Sequence, residues 1–449
     1  MKTIVTRHPS LVLAAVAMLC AAGCATVDRA REAQENDTER TVRWAETPFA
    51  GRTDPLPMEE LADWARTNAP SVVQARLAVE SAQIALRGIR SSFIPRVDGS
   101  IAYTYASLNV DPHNTEWDGE GTWGGGLSLN WLLYDFGRTS AATRQAVAAL
   151  AAADLNARNA ENEAVYAVRS ACFDLNRTVE LLRVAVEASD AYRQHRDQTL
   201  DRLEAGAAMN YDVSKAEVDY ANALLAEIEA VNAVANARAS LNLALGLAET
   251  PAYELGDCSF RSFTNDVDVL METAATNAPA LAALRASAEA AKNYVDWTIC
   301  DLYPNLSLSL TFDAKGDSSP LLWNYAAVPQ AAQTLFSAGT KNRQIEEAVV
   351  RLRTARSRLA EAEQKLYGQL FSATLAADRA RRSLAVAERA ESAARENFDV
   401  VSSRYDVGKA SVLERTDAQV ALTRAEAAVV AARYDWLDTQ ILIARLIGE

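Results

Sequence analysis

Thr67-Asn68-Ala69-Pro70 recurs as Thr276-Asn277-Ala278-Pro279, and the landmarks that follow each copy keep the same spacing. A second proline follows the first at the same interval in both places, at Pro95 and at Pro304. Glycine landmarks come next, at Gly137, Gly206 and Gly246 and again at Gly339, Gly408 and Gly448. Both intervals between successive glycines are identical in the two series. Chance matches would scatter these offsets, so the chain contains two copies of one unit.

The duplication divides most of the chain. We assign 68–246 to the first repeat, 247–276 to a linker and 277–449 to the second repeat. The stretch Pro95–Gly137 is somewhat longer than its partner, Pro304–Gly339, and this is the only length change between the landmarks.

The amino terminus predicts export and lipid attachment. Residues 1–23 combine a basic start with a short apolar run, as a signal peptide does, and that run is too short to span a membrane as a helix. They end in Ala21-Ala22-Gly23-Cys24, a pattern that predicts a diacylglycerol on the Cys24 thiol and a lipid-anchored segment over 24–67. The alternative is ordinary cleavage close to this point, with Cys24 incidental.

Charge and hydropathy narrow the classes of function. The formal net charge is −14, which argues against nucleic acid as a partner. No later apolar run is long enough for a transmembrane helix, so any membrane crossing is expected to be by strands.

Few residues could carry catalysis or bind a metal. Cys172, Cys258 and Cys300 lack metal-ligand spacing; Cys172 lies on an apolar helical stripe, and a Cys258–Cys300 bridge is one alternative in an oxidising compartment. We expect His113 and His195 to be exposed to solvent. No phosphate-binding or dinucleotide motif occurs, so we predict neither an enzyme nor a cofactor beyond the lipid.

Each repeat contains a segment with the period of a β-hairpin. Apolar and small polar residues alternate over 97–109, 127–133 and 305–313, while 323–336 is a weaker candidate that contains Pro329. We predict hairpins over 97–136 and 305–338. Soluble hairpins are one alternative, but strands with one apolar and one polar face are typical of a membrane barrel. Four strands per chain are too few for a channel, so several subunits would have to share the barrel.

Long helices are predicted to follow both hairpins. Glycine and proline are almost absent up to Gly206 and Gly408, and about 67 helical residues would extend about 100 Å. The chain then turns at each glycine and returns over a shorter stretch, to Gly246 and Gly448. A heptad seam is predicted from apolar residues spaced alternately four and three apart: Val168, Cys172, Leu175, Val179, Leu182 and Val186.

Taken in order, these motifs resemble the TolC-like family of outer membrane efflux proteins. The resemblance covers both repeats and rests on the motifs Ile94-Pro95, Tyr303-Pro304, Tyr134–Arg138, Arg202–Gly206 with Asp212, and Tyr405–Gly408 with Ser411, Glu414 and Asp417. It implies a mainly α fold with a small membrane β-barrel. A homotrimer would pool its strands into one outer-membrane barrel and its helices into a periplasmic tunnel. Such a duct passively conducts solutes from an inner-membrane pump through a periplasmic adaptor.

The same resemblance implies a gate at the periplasmic tips. Glu414 and Asp417 share one helix face, and Asp212 occupies the position of Glu414 in the first repeat. Lys215, at the position of Asp417, could pair with Asp212 or with a neighbouring helix. The alternative role for these acids is to complement the helix dipole.

It also implies an adaptor-docking surface formed by Arg202, Gly206, Arg404 and Gly408. The glycines are expected to supply positive φ in the turns. The alternative for the arginines is carboxylate pairing along the helices.

Two other functions compete with efflux. One is an exit duct for secreted polypeptides in the same architecture. The other, from a different class, is a periplasmic coiled-coil scaffold lipoprotein without a pore, which explains the heptads but not the amphipathic hairpins.

Overall fold

The computed structural model describes residues 27–28, 30–32, 34, 49, 54–107, 119–206, 209–247, 254–256, 258–264, 266–317 and 321–449. The predicted signal peptide, Cys24 and His113 lie outside these residues.

The two repeats have the same order of elements. In the first they are α1 (Met58–Asn68), α2 (Pro70–Arg90), β1 (Arg96–Ser107), β2 (Gly119–Tyr134), α3 (Arg138–Glu204) and α4 (Asn210–Leu245). In the second they are α5 (Val267–Asn277), α6 (Pro279–Cys300), β3 (Asn305–Gly316), β4 (Leu322–Ala332), α7 (Thr340–Asp406) and α8 (Val412–Ile447). Helices α3 and α7 each contain 67 residues, and α4 and α8 each contain 36.

The repeated tetrapeptide is a joint between two helices. Asn68 ends α1 and Pro70 begins α2, where proline is favoured because its missing N–H would have no partner in the first turn. The Ala69 N–H still bonds the Ala65 carbonyl at 3.0 Å, which closes the last turn of α1. Asn277 and Pro279 play the same parts for α5 and α6. Each unit therefore has one more helix, which ends within the tetrapeptide. These helices, α1 and α5, occupy the ends of the segments 24–67 and 247–276, which we assign from the sequence to an anchor and a linker.

Each repeat ends against its own tetrapeptide. Gly246 and Gly448 cap α4 and α8 in the left-handed conformation, at φ of 73° and 89°. A Cβ built on Gly246 would lie 2.7 Å from the Pro70 Cδ, and one built on Gly448 would lie 2.7 Å from the Asn277 carbonyl oxygen. This contact accounts for the fixed spacing of the sequence landmarks.

The strands form one antiparallel sheet in the order β1-β2-β3-β4. Strand β2 pairs with β3, so the hairpins of the two repeats join each other, with Leu129 opposite Leu310. Pro329 lies on β4, at the edge of the sheet, where its missing N–H costs no interior ladder bond. The large side chains that alternate along β1 are exposed, and Ile101 has 84% of its surface accessible.

A carboxylate next to the sheet joins the starts of the two long helices. Asp301, just after α6, accepts a hydrogen bond from the Arg138 guanidinium at 3.0 Å, and it also forms an ion pair with Lys341. Arg138 and Lys341 are at the starts of α3 and α7. Asp301 therefore connects the starts of both long helices.

The predicted heptad seam is buried only at its beginning. Val168, Cys172 and Leu175 are buried and Leu182 is half-buried against the same core, whereas Val179 and Val186 are 44% and 36% exposed, so the prediction was wrong at those two positions. A straight helix drifts about 20° per heptad relative to a 3.5-residue repeat, which moves the buried stripe to new positions. Those positions in α3 are Val184, Ala188, His195 and Thr199.

None of the three described cysteines is in a disulfide, so the Cys258–Cys300 bridge is not formed. Cys258 and Cys172 belong to one hydrophobic core cluster, together with the fully buried Phe173 and Leu241. Cys300 instead ends α6, with its Sγ 3.9 Å from a Cβ built on Gly137. The two cysteines belong to different packing environments.

We predict that Gly448→Ala lowers thermal stability. The added methyl would meet the Asn277 carbonyl, and the left-handed backbone alone costs a non-glycine residue about 1–2 kcal/mol. The matched control is Gly368→Ala within α7, where no atom lies within 4 Å of the added Cβ and alanine favours the helix. Circular dichroism melting should show a lower midpoint for the first variant and an equal or higher one for the second. Equal midpoints for both would contradict the role given to the contact.

Candidate functional site at the helical hairpin tips

Two turns form the tips of the helical hairpins. The first joins α3 to α4 and the second joins α7 to α8, and both contain a glycine with positive φ: 73° at Gly206 and 72° at Gly408. A Cβ built on either would meet no atom within 4 Å. Within one chain, the glycines serve the backbone turn, as predicted, and are not packed against any neighbour.

Two of the predicted gate acids cap helices. The Met209 N–H donates to the Asp212 carboxylate at 3.0 Å, at the start of α4. The Ser411 N–H donates to the Glu414 carboxylate at 2.7 Å, and the Glu414 N–H donates to Ser411 Oγ at 3.2 Å. This reciprocal pair is a capping box. The bond from the Ser411 backbone, followed by that from its side chain, lowers the pKa of Glu414.

Asp417 differs from the two capping acids. It lies one turn beyond Glu414 and is exposed, without a hydrogen bond or ion pair within the described part of the chain. Lys215, its counterpart in the first repeat, pairs with Asp219 at 3.3 Å along α4. Within the described residues of one chain, Lys215 therefore pairs with neither Asp212 nor another helix, because its i+4 neighbour Asp219 is closer. Of the predicted acids, Asp417 is the one whose carboxylate has no bonding partner among the described residues.

The two predicted docking arginines have different environments. The Arg202 guanidinium lies over the ring of Tyr405, with its Cζ 4.4 Å from the ring centroid. The Arg404 guanidinium donates to the Lys409 carbonyl at 3.4 Å, across its own turn. Neither arginine forms an ion pair with a carboxylate of the described residues, so the alternative of carboxylate pairing is not observed. Arg404 is exposed at the tip, while Arg202 contributes to packing between the hairpins.

The sequence did not reveal that Tyr405, Arg415 and His195 form one contact between the hairpins. Tyr405 is buried at the end of α7, between Arg202 and Arg415, whose Cζ is 5.3 Å from the ring centroid. The ring of His195, on α3, lies 5.7 Å from the ring of Tyr405. His195 was expected to be exposed and is buried, because the end of α7 packs over it. Its place two helical turns after the buried Ala188 is the sequence signal that could have found it.

Burial has a direct electrostatic consequence for His195. Desolvation, and then the nearby Arg415, lower the pKa of the imidazole from 6.5 to about 4. The side chain is therefore neutral at neutral pH.

The described residues offer no cluster of three or more histidine, cysteine or acidic side chains that could hold a metal ion. None of the helices in the described ranges has a stretch long and apolar enough to cross a membrane.

Comparison with known proteins assigns the chain to a family. A family model described as outer membrane efflux protein matches 61–247 and 270–449, one match for each repeat. Outer membrane protein TolC of Escherichia coli is 22% identical over 404 residues, covering 86% of this chain and 80% of its own. Protein CyaE of Bordetella pertussis is 27% identical over 283 residues, covering 62% of this chain and 58% of its own.

Solved structures agree on the fold. The Campylobacter jejuni CmeC outer membrane channel superposes with a TM-score of 0.76 at 17% identity, over 87% of this chain and 85% of its own. The open state of the Neisseria gonorrhoeae MtrE outer membrane channel gives a TM-score of 0.73 at 16% identity, over 87% and 88%. With both repeats matched by the family model, the chain belongs to the outer membrane efflux protein family.

Proposed function

We propose that this chain forms the outer-membrane exit duct of a tripartite efflux system as a homotrimer. The observation that carries the proposal is an open four-stranded sheet joined to two 67-residue helices. Strands β1 and β4 are edges whose outer sides pair with no other strand of the described residues. An exposed edge invites pairing with another copy, and three copies would supply about twelve strands to one closed barrel.

The surfaces of the strands and helices support assembly from several copies. Ile101, Trp323 and Tyr325 lie on one face of the sheet and are large apolar residues that are more than half exposed, as a lipid-facing band requires. On α4, Val218, Leu225 and Ile228 are more than half exposed in a single chain. Apolar side chains in these positions would be covered by helices of neighbouring copies.

The tips support contact with a periplasmic adaptor, which in turn would connect the duct to an inner-membrane pump. Beside the exposed Arg404, they present large apolar side chains that are more than half exposed: Met209, Tyr211, Val407 and Leu413. Such residues are rarely left in water without a partner surface. Gly206 and Gly408 themselves carry no side chain, so another backbone can approach closely at these two positions.

Within the proposed trimer, we assign the ring of carboxylates that would gate the channel at the hairpin tips to Asp417. Asp212 and Glu414 accept hydrogen bonds from the N–H groups of the residues that cap their helices, Met209 and Ser411, which explains both acids without a gate. Asp417 has no such local role, and three copies would place three carboxylates around the channel axis.

We expect Asp417→Asn to reduce the cation preference of single channels in planar bilayers. The expected change in the permeability ratio is about fivefold, the Boltzmann factor for two unit charges about 4 Å apart in water. The matched controls are Glu414→Gln and Asp212→Asn, which should change the permeability ratio less, because those carboxylates are engaged in capping. If Asp417→Asn leaves the ratio unchanged while a control lowers it, the assignment to Asp417 is wrong.

We further propose that Cys24 carries a covalent lipid in the outer membrane. Its support is the Ala21-Ala22-Gly23-Cys24 sequence. The lipid would add an anchor to a protein that its own strands already hold in the bilayer.

A Cys24→Ala variant with a working export signal should therefore remain in the membrane fraction after washing with alkaline carbonate. Metabolic labelling with radioactive palmitate should mark the wild type and not the variant. Release of the variant into the wash would favour the scaffold alternative, in which the lipid alone holds the protein.

A further inference from the structure

His195 lies where the two helical hairpins of one chain meet. It projects from α3 in the first repeat and is 3% exposed. The end of α7 covers it through Tyr405, and the first turns of α8 contribute Arg415 and Thr416 to the same small space. This imidazole therefore belongs to the contact between hairpins and not to the surface of either.

Polar groups face each other here without bonding. Neither ring nitrogen of His195 has a hydrogen-bond partner among the described residues, and the same holds for Arg415 Nε and Thr416 Oγ1. Buried polar atoms are usually paired, and each unpaired one weakens the folded arrangement. Near the tips, the contact between the hairpins is thus held by packing around the rings of His195 and Tyr405. The polar bonds between α3 and α8, such as Tyr434 to Glu180 and Arg445 to Glu163, lie farther from the tips.

The charges around His195 are mostly positive. Its own helix contributes Arg202, α8 contributes Arg415, and α4 contributes Lys215 and Asp219. Asp219 already pairs with Lys215, and Tyr405 from α7 presents an aromatic ring to both guanidinium groups. A protonated imidazole would therefore be a third cation beside the half-buried Arg202 and Arg415, at a position that is itself buried.

We propose that His195 is a proton-sensitive lock between the two helical hairpins, which pack together while its ring is neutral and separate near their tips when it is protonated. The position of the lock gives it control over the periplasmic end of the duct. That consequence rests on the proposed function, whereas the lock itself is a property of a single chain.

The sign of the effect follows from linkage. With the hairpins packed, the pKa of His195 is about 4, and with the ring exposed it would return to its ordinary value of 6.5. The contact is therefore at full strength above pH 6.5 and weakens as the pH falls toward about 4. At about pH 5 the separated state gains about 20-fold relative to its population at neutral pH.

Electron paramagnetic resonance distances test the lock directly. Spin labels placed through Gln198→Cys on α3 and Ser403→Cys on α7 would flank the contact from two exposed positions. Cys300→Ser removes the more accessible native thiol, since Cys172 and Cys258 are buried. The labelled chain is co-expressed with an excess of chain that lacks the two introduced cysteines. Most assemblies that carry labels then contain one labelled chain, so the distance reports on a single protomer.

We expect the distance distribution to gain a longer component when the pH falls from about 7.5 to about 5, and this gain to vanish in His195→Gln, which keeps a polar side chain that cannot be charged. Arg415→Gln should shrink the response, because removing the nearby cation makes protonation of the packed ring easier. An equal response in His195→Gln, or none in the parent protein, would overturn the proposal.

Single-channel currents recorded at the same two pH values separate this inference from the proposed function. A distance change that depends on His195 without any change in current would support the lock. It would also show that the constriction of the duct does not lie at the tips. An acid-induced rise in current with constant distances would overturn the lock and leave the duct in place.

Discussion

The contact on which the rest of the structure depends is the return of each repeat to its own beginning. Gly246 fits against Pro70 and Gly448 fits against Asn277, at distances that leave no space for a side chain. Both glycines also need a left-handed backbone, which other residues adopt only at a cost. Because the return helices have the same length, these contacts place the two hairpin tips at the same distance from the sheet. Residues on both tips can then act at one level of an assembled tunnel.

At the opposite end, the sheet explains why one chain is incomplete. Its strands are joined across the repeats by the pairing of β2 with β3, but both outer edges remain open. Asp301, which lies next to this sheet, joins the starts of both long helices through Arg138 and Lys341. A closed barrel built from several sheets would therefore impose its spacing on the helices below it. The spacing of the strands in such a barrel and the spacing of the helices in the tunnel would therefore depend on each other.

Sequence reasoning worked where local chemistry decides the structure. Glycine and proline end helices for reasons confined to the backbone, so the joints at Pro70 and Pro279 and the turns at Gly206 and Gly408 could be predicted. Alternation of apolar residues identified the strands, although β2 begins at Gly119, ahead of the predicted 127–133, and β4 ends at Ala332, short of the predicted range.

It was less successful where tertiary packing decides. Helix α1 was overlooked because it contains only 11 residues and lacks a side-chain cap at Pro57. The burial of His195 depends on Tyr405, which lies in the other repeat, and no local pattern contains that contact. The capping roles of Asp212 and Glu414 could have been favoured earlier over the gate, since an acid three residues after the cap position is a local signal. Asp417 stands out only once the partners of the other acids are known.

The central claim is that the four strands of one chain become a channel only when several copies combine, and stoichiometry tests it most directly. Native mass spectrometry of the protein extracted from outer membranes in mild detergent would count the chains in the assembly. The mass of three chains is predicted, with dissociation only when the detergent is exchanged for a harsher one. A single chain that remains folded, membrane-bound and conducting would contradict the claim.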